Sequence, residues 1–206
     1  MWAIVVAAGS GQRFGGPKQY EALGAGTVLD RSIATAREVV DNVVVVVPPG
    51  RVLEQGEVEG GPTRSESVRR GLAAVADGAE VIIVHDGARP FASAQLYRVV
   101  IDAVRAGADA AVPGLPVGDT IKVVDDAMTV LSTPDRSSLV SVQTPQAFAA
   151  DRLRAAHAAG AEGTDDASLV EAVGGRVVVV PGEPDNRKIT VSDDLIWARQ
   201  RVAQEP

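Results

Sequence analysis

The chain has no cysteine, which excludes disulfides, thiolate metal sites and thiol nucleophiles. It has only two histidines, His85 and His157, so a multi-histidine metal centre cannot form from them alone. Phe, Trp and Tyr together make up 3% of residues, too little for a platform on which nucleic-acid bases stack. Positive charge is also short. A net charge of −7 argues against a nucleic-acid partner, because a duplex binder needs a basic face. Any phosphate site must therefore be a local cluster of Lys and Arg within an acidic surface. Long apolar runs are missing too. Trp2–Ala8 is too short for a membrane span and lacks the basic flank of a signal peptide. The expectation is a cytoplasmic protein without membrane contact.

What the chain does have is 206 residues, 46% of them apolar and rich in Ala and Val, enough to build one core. We expect a single domain over 1–206. Trp2–Ala8 reads as a strand buried on both faces, Val43–Val47 as a second buried strand, and Val81–Val84, Ala110–Val112 and Val177–Val180 as further strands. Helical spacing of apolar residues falls in Val28–Val40 and Ser65–Ala76, and further helices are expected at Leu96–Ala106, Asp151–Ala159, Asp165–Val173 and Ser192–Ala203. Strands alternating with helices predict an α/β fold with a mostly parallel central sheet, and ligands at the carboxyl ends of its strands. The rhythm breaks at Gly114-Leu115-Pro116. Ile121–Val124 and Met128–Leu131 flank Asp125-Asp126-Ala127 as a hairpin, and Leu139–Val142 follows as an extended piece. We read about 116–138 as an arm leaving the body. Two short strands cannot bury an apolar face alone, so the arm needs a partner surface.

The loop Gly9-Ser10-Gly11-Gln12-Arg13-Phe14-Gly15-Gly16-Pro17 follows the first strand and offers tight turns and backbone N–H groups to an anion. Two familiar phosphate loops fail on it. The dinucleotide fingerprint needs glycine at position 14, which is Phe14, and an acidic residue after the second strand, where Pro48-Pro49 stands. In the P-loop, Gly-Lys-Ser/Thr would follow Gly11 at the spacing of Gly16, but Pro17 intervenes and Gln19 replaces the hydroxyl. What remains is a glycine loop with two cations, Arg13 and Lys18. A solvated βα turn would have the same composition.

Two further segments carry chemistry. Gly60-Gly61-Pro62-Thr63-Arg64-Ser65-Glu66-Ser67 is a glycine turn entering a helix, where N–H groups and hydroxyls can meet a base or phosphate. Ser65 is the expected N-cap. His85-Asp86-Gly87-Ala88-Arg89-Pro90 places a carboxylate at a strand's carboxyl end, which suits Mg²⁺ shared with substrate phosphates. An Asp86–Arg89 pair within the turn would be the plainer use, and lone His85 reads as a structural hydrogen-bonder.

Ala7-Ala8-Gly9-Ser10-Gly11-Gln12-Arg13 and Pro17-Lys18-Gln19-Tyr20 resemble the signature loop of nucleotidyltransferases that make CDP- and UDP-linked metabolites. The Pro-Lys-Gln form resembles the branch acting on methylerythritol phosphate in isoprenoid synthesis. Both segments above resemble that family's, as do Asp119-Thr120-Ile121-Lys122, Asp135-Arg136, Gln143-Thr144-Pro145-Gln146, Thr164–Ser168 and Asp185–Thr190, in order from Ala3 to about Leu195. Two departures are the shortness of Arg13–Pro17 and of the link from Pro48 to Glu59.

The resemblance implies a Rossmann-like nucleotidyltransferase fold and transfer of a cytidylyl group from CTP to a polyol phosphate, with pyrophosphate released. It implies catalytic cations Arg13 and Lys18, and CTP binding by those two together with Ala7, Ala8, Gly9, Ser10, Gly11, Gly61, Ser67 and Gly87. For the polyol phosphate it implies Asp86, Arg89, Thr120, Arg136, Thr144 and Lys188, with Asp86 also on Mg²⁺. It further implies a homodimer whose swapped β-arms complete each other's sites. A ribitol phosphate cytidylyltransferase, another sugar-phosphate nucleotidyltransferase and a non-catalytic nucleotide-sensing module stay open as alternatives.

Overall fold

A computed structural model describes every residue except Val52, Ala159 and Pro206. In chain order its elements are β1 (Trp2–Val6), β2 (Ala22–Leu23), β3 (Gly26–Thr27), α1 (Val28–Val39), β4 (Asn42–Val47), β5 (Glu57–Glu59), α2 (Arg64–Ala73), β6 (Val81–Asp86) and α3 (Ala94–Arg105). Then follow β7 (Ala110–Pro116), β8 (Val123–Val124), β9 (Val130–Ser132), β10 (Val140–Val142), β11 (Gln146–Ala149), α4 (Ala150–Ala158), α5 (Asp166–Ala172), β12 (Val177–Pro181) and α6 (Ser192–Val202).

The main sheet runs β10-β7-β11-β6-β1-β4-β5, with β12 pairing parallel to β7. The stretch β6-β1-β4-β5 is parallel throughout. Within it β6, β1 and β4 are buried on both faces, whereas the edge strand β5 is half-buried, and β4 illustrates why the sequence reads as a solid run of valine. Val45 and Val47 enter the core beneath α1 and α3, while Val44 and Val46 enter the core beneath α2, α4 and α5.

Several sequence expectations need adjusting. The first strand ends at Val6, so Ala7 and Ala8 already belong to the loop. Helix α2 is capped by Thr63, whose hydroxyl accepts from Glu66 N, and not by Ser65, which is buried inside the first turn of the helix. The helix expected over Asp151–Ala159 is α4, and its last expected residue lies outside those described. Strand β11, which the sequence did not announce, inserts antiparallel between β6 and β7. Its Gln-Ala-Phe-Ala has no β-branched residue and follows a proline, so propensity is silent there.

The segment expected to form an arm does leave the sheet. β8 and β9 pair only with each other, and every residue from Gly118 to Thr133 is exposed. The turn between them closes through Asp125 N to Thr129 O and puts Met128 at φ 62°, left-handed backbone that a non-glycine residue rarely adopts.

Candidate active site

The site grows from the parallel pairing of β1 and β6. Their register sets Val6 beside Asp86, so the two loops leave the sheet together at its carboxyl edge. Gly87 N donates to Val6 O at 2.9 Å, and a Cβ on Gly87 would lie 2.9 Å from Leu29 Cδ1. Glycine is what lets the loops pack. The glycine loop is folded on itself: Gly11 O accepts from the N–H groups of Phe14, Gly15 and Gly16. Gly11 has φ +68° and its missing Cβ would sit 1.7 Å from Gly16 O, so no other residue fits. Buried Gln19 holds the loop's near end, donating to Ala7 O at 2.6 Å and Gly9 O at 3.1 Å.

These loops frame a cleft of about 370 Å³. Ala7, Ala8, Gly9 and Ser10 form one wall, Gly61 and Ser67 another, and Lys18, Asp86 and Lys188 the charged end. Nine of the residues singled out from the sequence thus share one cavity. The others are placed around it. Gly11 shapes the loop from within, and Arg13 stands exposed on it. Gly87 packs the base of its loop against β1. Arg89 turns into the protein, donating to Asn186 O at 2.8 Å. Thr120 and Arg136 sit on the exposed arm, where Arg136 donates to Gly118 O of its own chain.

Asp86 is the electrostatic hub. Lys188 Nζ lies 2.8 Å and Arg89 Nε 3.8 Å from its Oδ2, while Arg64 Nε lies 3.8 Å from its Oδ1. Burial pushes this carboxyl up, but Lys188, Arg64 and Arg89 outweigh it and hold it well below the ordinary aspartate range. The Asp86–Arg89 pairing considered from sequence is present, as one member of a larger cluster. Burial lowers the Lys18 pKa, and repulsion from Lys188 and Arg13 lowers it further.

His85 has a structural place. Its Nε2 donates to Arg89 O at 3.1 Å, its Nδ1 accepts from the Thr144 hydroxyl at 3.1 Å, and that hydroxyl accepts from Asp86 N at 3.0 Å. Complete burial pushes the imidazole down to about 4, so it is neutral at physiological pH. Thr144 is buried and spends its hydroxyl on this chain of bonds, fixing the backbone that carries Asp86.

Sequence reasoning passed over four residues that build the site. Gln19 clamps the loop, and Arg64 lines the cleft. Gln143 and Asn186, both buried, bind one another; Gln143 also donates to the Glu183 and Asn186 carbonyls of the segment that presents Lys188, and Asn186 donates to Thr144 O. Each lies inside a motif quoted above, but an amide in a string carries no visible partner.

A divalent cation fits this cleft only together with substrate phosphates. Among the described residues no three His, Cys, Asp or Glu side chains gather to hold a metal, and Asp86 is the only carboxylate lining the cleft. One carboxylate suits Mg²⁺ when phosphates and water supply the remaining ligands.

Comparison with known proteins gives a consistent picture. The family model described as 2-C-methyl-D-erythritol 4-phosphate cytidylyltransferase matches residues 1–204. A protein of that name from Rhodococcus jostii is 47% identical, across 98% of this chain and 95% of its own. Its namesake from Saccharopolyspora erythraea is 44% identical, covering 98% of both chains. Among solved structures, the 2-C-methyl-D-erythritol 4-phosphate cytidylyltransferase of Thermus thermophilus superposes with a TM-score of 0.84 at 36% identity, covering 98% of each chain.

Proposed function

The chain belongs to the 2-C-methyl-D-erythritol 4-phosphate cytidylyltransferase family, and from that premise we propose how its residues divide the work. The enzyme transfers the cytidylyl group of CTP to 2-C-methyl-D-erythritol 4-phosphate in the non-mevalonate isoprenoid pathway. The products are 4-(cytidine 5'-diphospho)-2-C-methyl-D-erythritol and pyrophosphate. The ribitol phosphate and nucleotide-sensing alternatives give way to this assignment.

A phosphate oxygen of the polyol substrate attacks the α-phosphorus of CTP, and the bond to pyrophosphate breaks. The nucleophile is already an anion, so the protein need not supply a base; it must offset like-charge repulsion and the charge growing on the leaving oxygen. Lys18 and Arg13 supply that charge. Ala8, with no backbone partner among the described residues, and Gly61 read the cytosine edge; Ala7 bonds Gln19 and Val46 and acts as support. Ser67 braces Gly61, accepting from its N–H at 3.1 Å. Lys188 and Asp86 face the methylerythritol phosphate. Asp86 is the residue that would hold Mg²⁺ together with the CTP phosphates, and the ion would supply neutralisation of phosphate charge there. The observation that carries this reading is the convergence of Lys18, Lys188 and Asp86 beneath the glycine loop in one cleft.

Thr120 and Arg136 complete the polyol site from a second chain. The support is the exposure of Gly118–Thr133, which includes Ile121, Val123, Val124, Val130 and Leu131, apolar surface that a partner would cover. Arg136 offers a guanidinium fork that matches two phosphate oxygens. Among the described residues no helix is long and apolar enough to cross a membrane, and a cytoplasmic homodimer is the setting we infer.

One mixing experiment tests the whole arrangement. Arg136→Ala and Lys18→Ala chains, each nearly inactive alone, are combined and allowed to exchange subunits. With swapped arms, one site of each mixed dimer receives both defects and the other neither. Random pairing then returns about a quarter of wild-type activity. If each chain completes its own site, the mixture stays inactive after exchange is confirmed by labelling, and the shared site is rejected.

A further inference from the structure

Behind the cleft runs a line of buried charge that the chemistry above leaves unused. Arg64, the first residue of α2, lines the cleft and reaches two carboxylates at once. Its Nη1 donates to Asp166 Oδ2 at 2.7 Å, and its Nε lies 3.8 Å from Asp86 Oδ1. Asp166, at the start of α5, is fully buried, and its other oxygen accepts from His157 Nε2 of α4 at 3.0 Å. His157 is buried as well. Three helices thus meet at one carboxylate.

Stability is a poor reason for such an arrangement, because desolvation of a buried pair cancels much of its attraction, and packed apolar side chains often do as well. Geometry supplies a better one. Arg64 and Lys188 approach opposite oxygens of Asp86, Oδ1 and Oδ2 respectively. A guanidinium tied only to Asp86 could swing with it. Tied also to Asp166, it is fixed to the helical layer behind the sheet.

We propose that Asp166, backed by His157, is a positioning residue that fixes Arg64 and so holds the Asp86 carboxylate in the cleft, one oxygen toward Arg64 and one toward Lys188. It acts through Arg64 and touches no substrate. The inference rests on the reading above that Asp86 and Lys188 face the methylerythritol phosphate.

The test is a double-mutant cycle on the full chain, with pyrophosphate release measured against both substrates. Asp166→Asn should fold and lower kcat/KM for methylerythritol phosphate about tenfold, with the KM for CTP changed less than about twofold. Arg64→Gln should do the same. Combined, they should lower activity no further than Arg64→Gln alone, since Asp166 has nothing left to position. Effects that multiply, or a folded Asp166→Asn with wild-type constants, would overturn the proposal. If Asp166→Asn does not fold, His157→Gln replaces it in the same cycle under the same criteria. Lys188→Ala, measured beside them, keeps the two readings apart. An unchanged methylerythritol phosphate KM there would reject the substrate assignment, while the cycle still reports whether Asp166 acts through Arg64.

Discussion

The central sheet and the arm are written in the same residue and come to opposite ends. In β4, Val44 to Val47 are each under 5% exposed, while on the arm Val123, Val124 and Val130 are 37–53% exposed. Valine favours a strand in both places, because its branched side chain suits a pleated surface. What differs is the cover. The sheet has helices on both faces within its own chain, whereas the arm's described residues leave their apolar side chains in the open. A body that is complete in one chain and an arm that is not make separable demands, so changes in the two should be read by different measurements.

The largest effect is expected in the body, at the cleft. Lys18→Ala should lower kcat by about a hundredfold to a thousandfold, as loss of one charged transition-state contact of ~2.7–4 kcal/mol does. The melting temperature should barely move, since Lys18 has no close ion-pair partner among the described residues. Near-normal turnover at saturating substrates would reject its role.

Acid should distinguish the regions next. His85 is held neutral in the folded body by a pKa of about 4, against 6.5 for an unperturbed histidine. Below about pH 6.5 the unfolded chain takes up a proton that the folded chain refuses. The stability tied to His85 is therefore complete above that pH and is lost as pH falls toward 4, about 3 kcal/mol in all. Asp86, whose pKa is depressed, begins to weaken the fold only below the usual aspartate value, so it leaves this window clear. Denaturant unfolding at about pH 7 and about pH 4.5 should show a smaller acid loss in His85→Asn than in the wild type. Parallel losses would contradict the assignment.

The smallest effect belongs to the arm's tip. Met128→Gly removes a left-handed non-glycine residue, a strain of about 1 kcal/mol partly offset by glycine's greater unfolded freedom. Amide exchange at Asp125 and Thr129 should slow by up to about fivefold, with kcat unchanged. Faster exchange would mean that the turn depends on methionine for some other contact.

Much of this is legible in the sequence, for definite reasons. The parallel strands β1, β4 and β6 announce themselves because burial on both faces leaves no polar gaps, whereas parallel β5, with Glu57 and Glu59 at its ends, does not; Gly9-Ser10 and Lys18 mark the wall and the charged end of the cleft through backbone need and charge. Strand β11 stays hidden because Phe148 alone carries its apolar signal and its neighbours are small or amide. Ser65 is an easy misreading for the cap at Thr63, because both are hydroxyls two positions apart and only the helix's true start separates them. Arg64 and Asp166 stand in separate motifs 102 positions apart, and sequence has no means of joining them.

Four glycines between Gly9 and Gly16 would suggest a floppy tether on composition alone, since glycine loses the most freedom when a chain is ordered. Yet Gly11 O collects three N–H groups and Gln19 ties down Ala7 and Gly9, so most of that ordering, about 1–2 kcal/mol per residue, is met during folding. On the proposed assignment, a nucleotide arriving at this loop would find its shape largely made. Binding there should carry a small conformational-entropy penalty, and the affinity gained from each phosphate contact is retained instead of being consumed in organising the backbone.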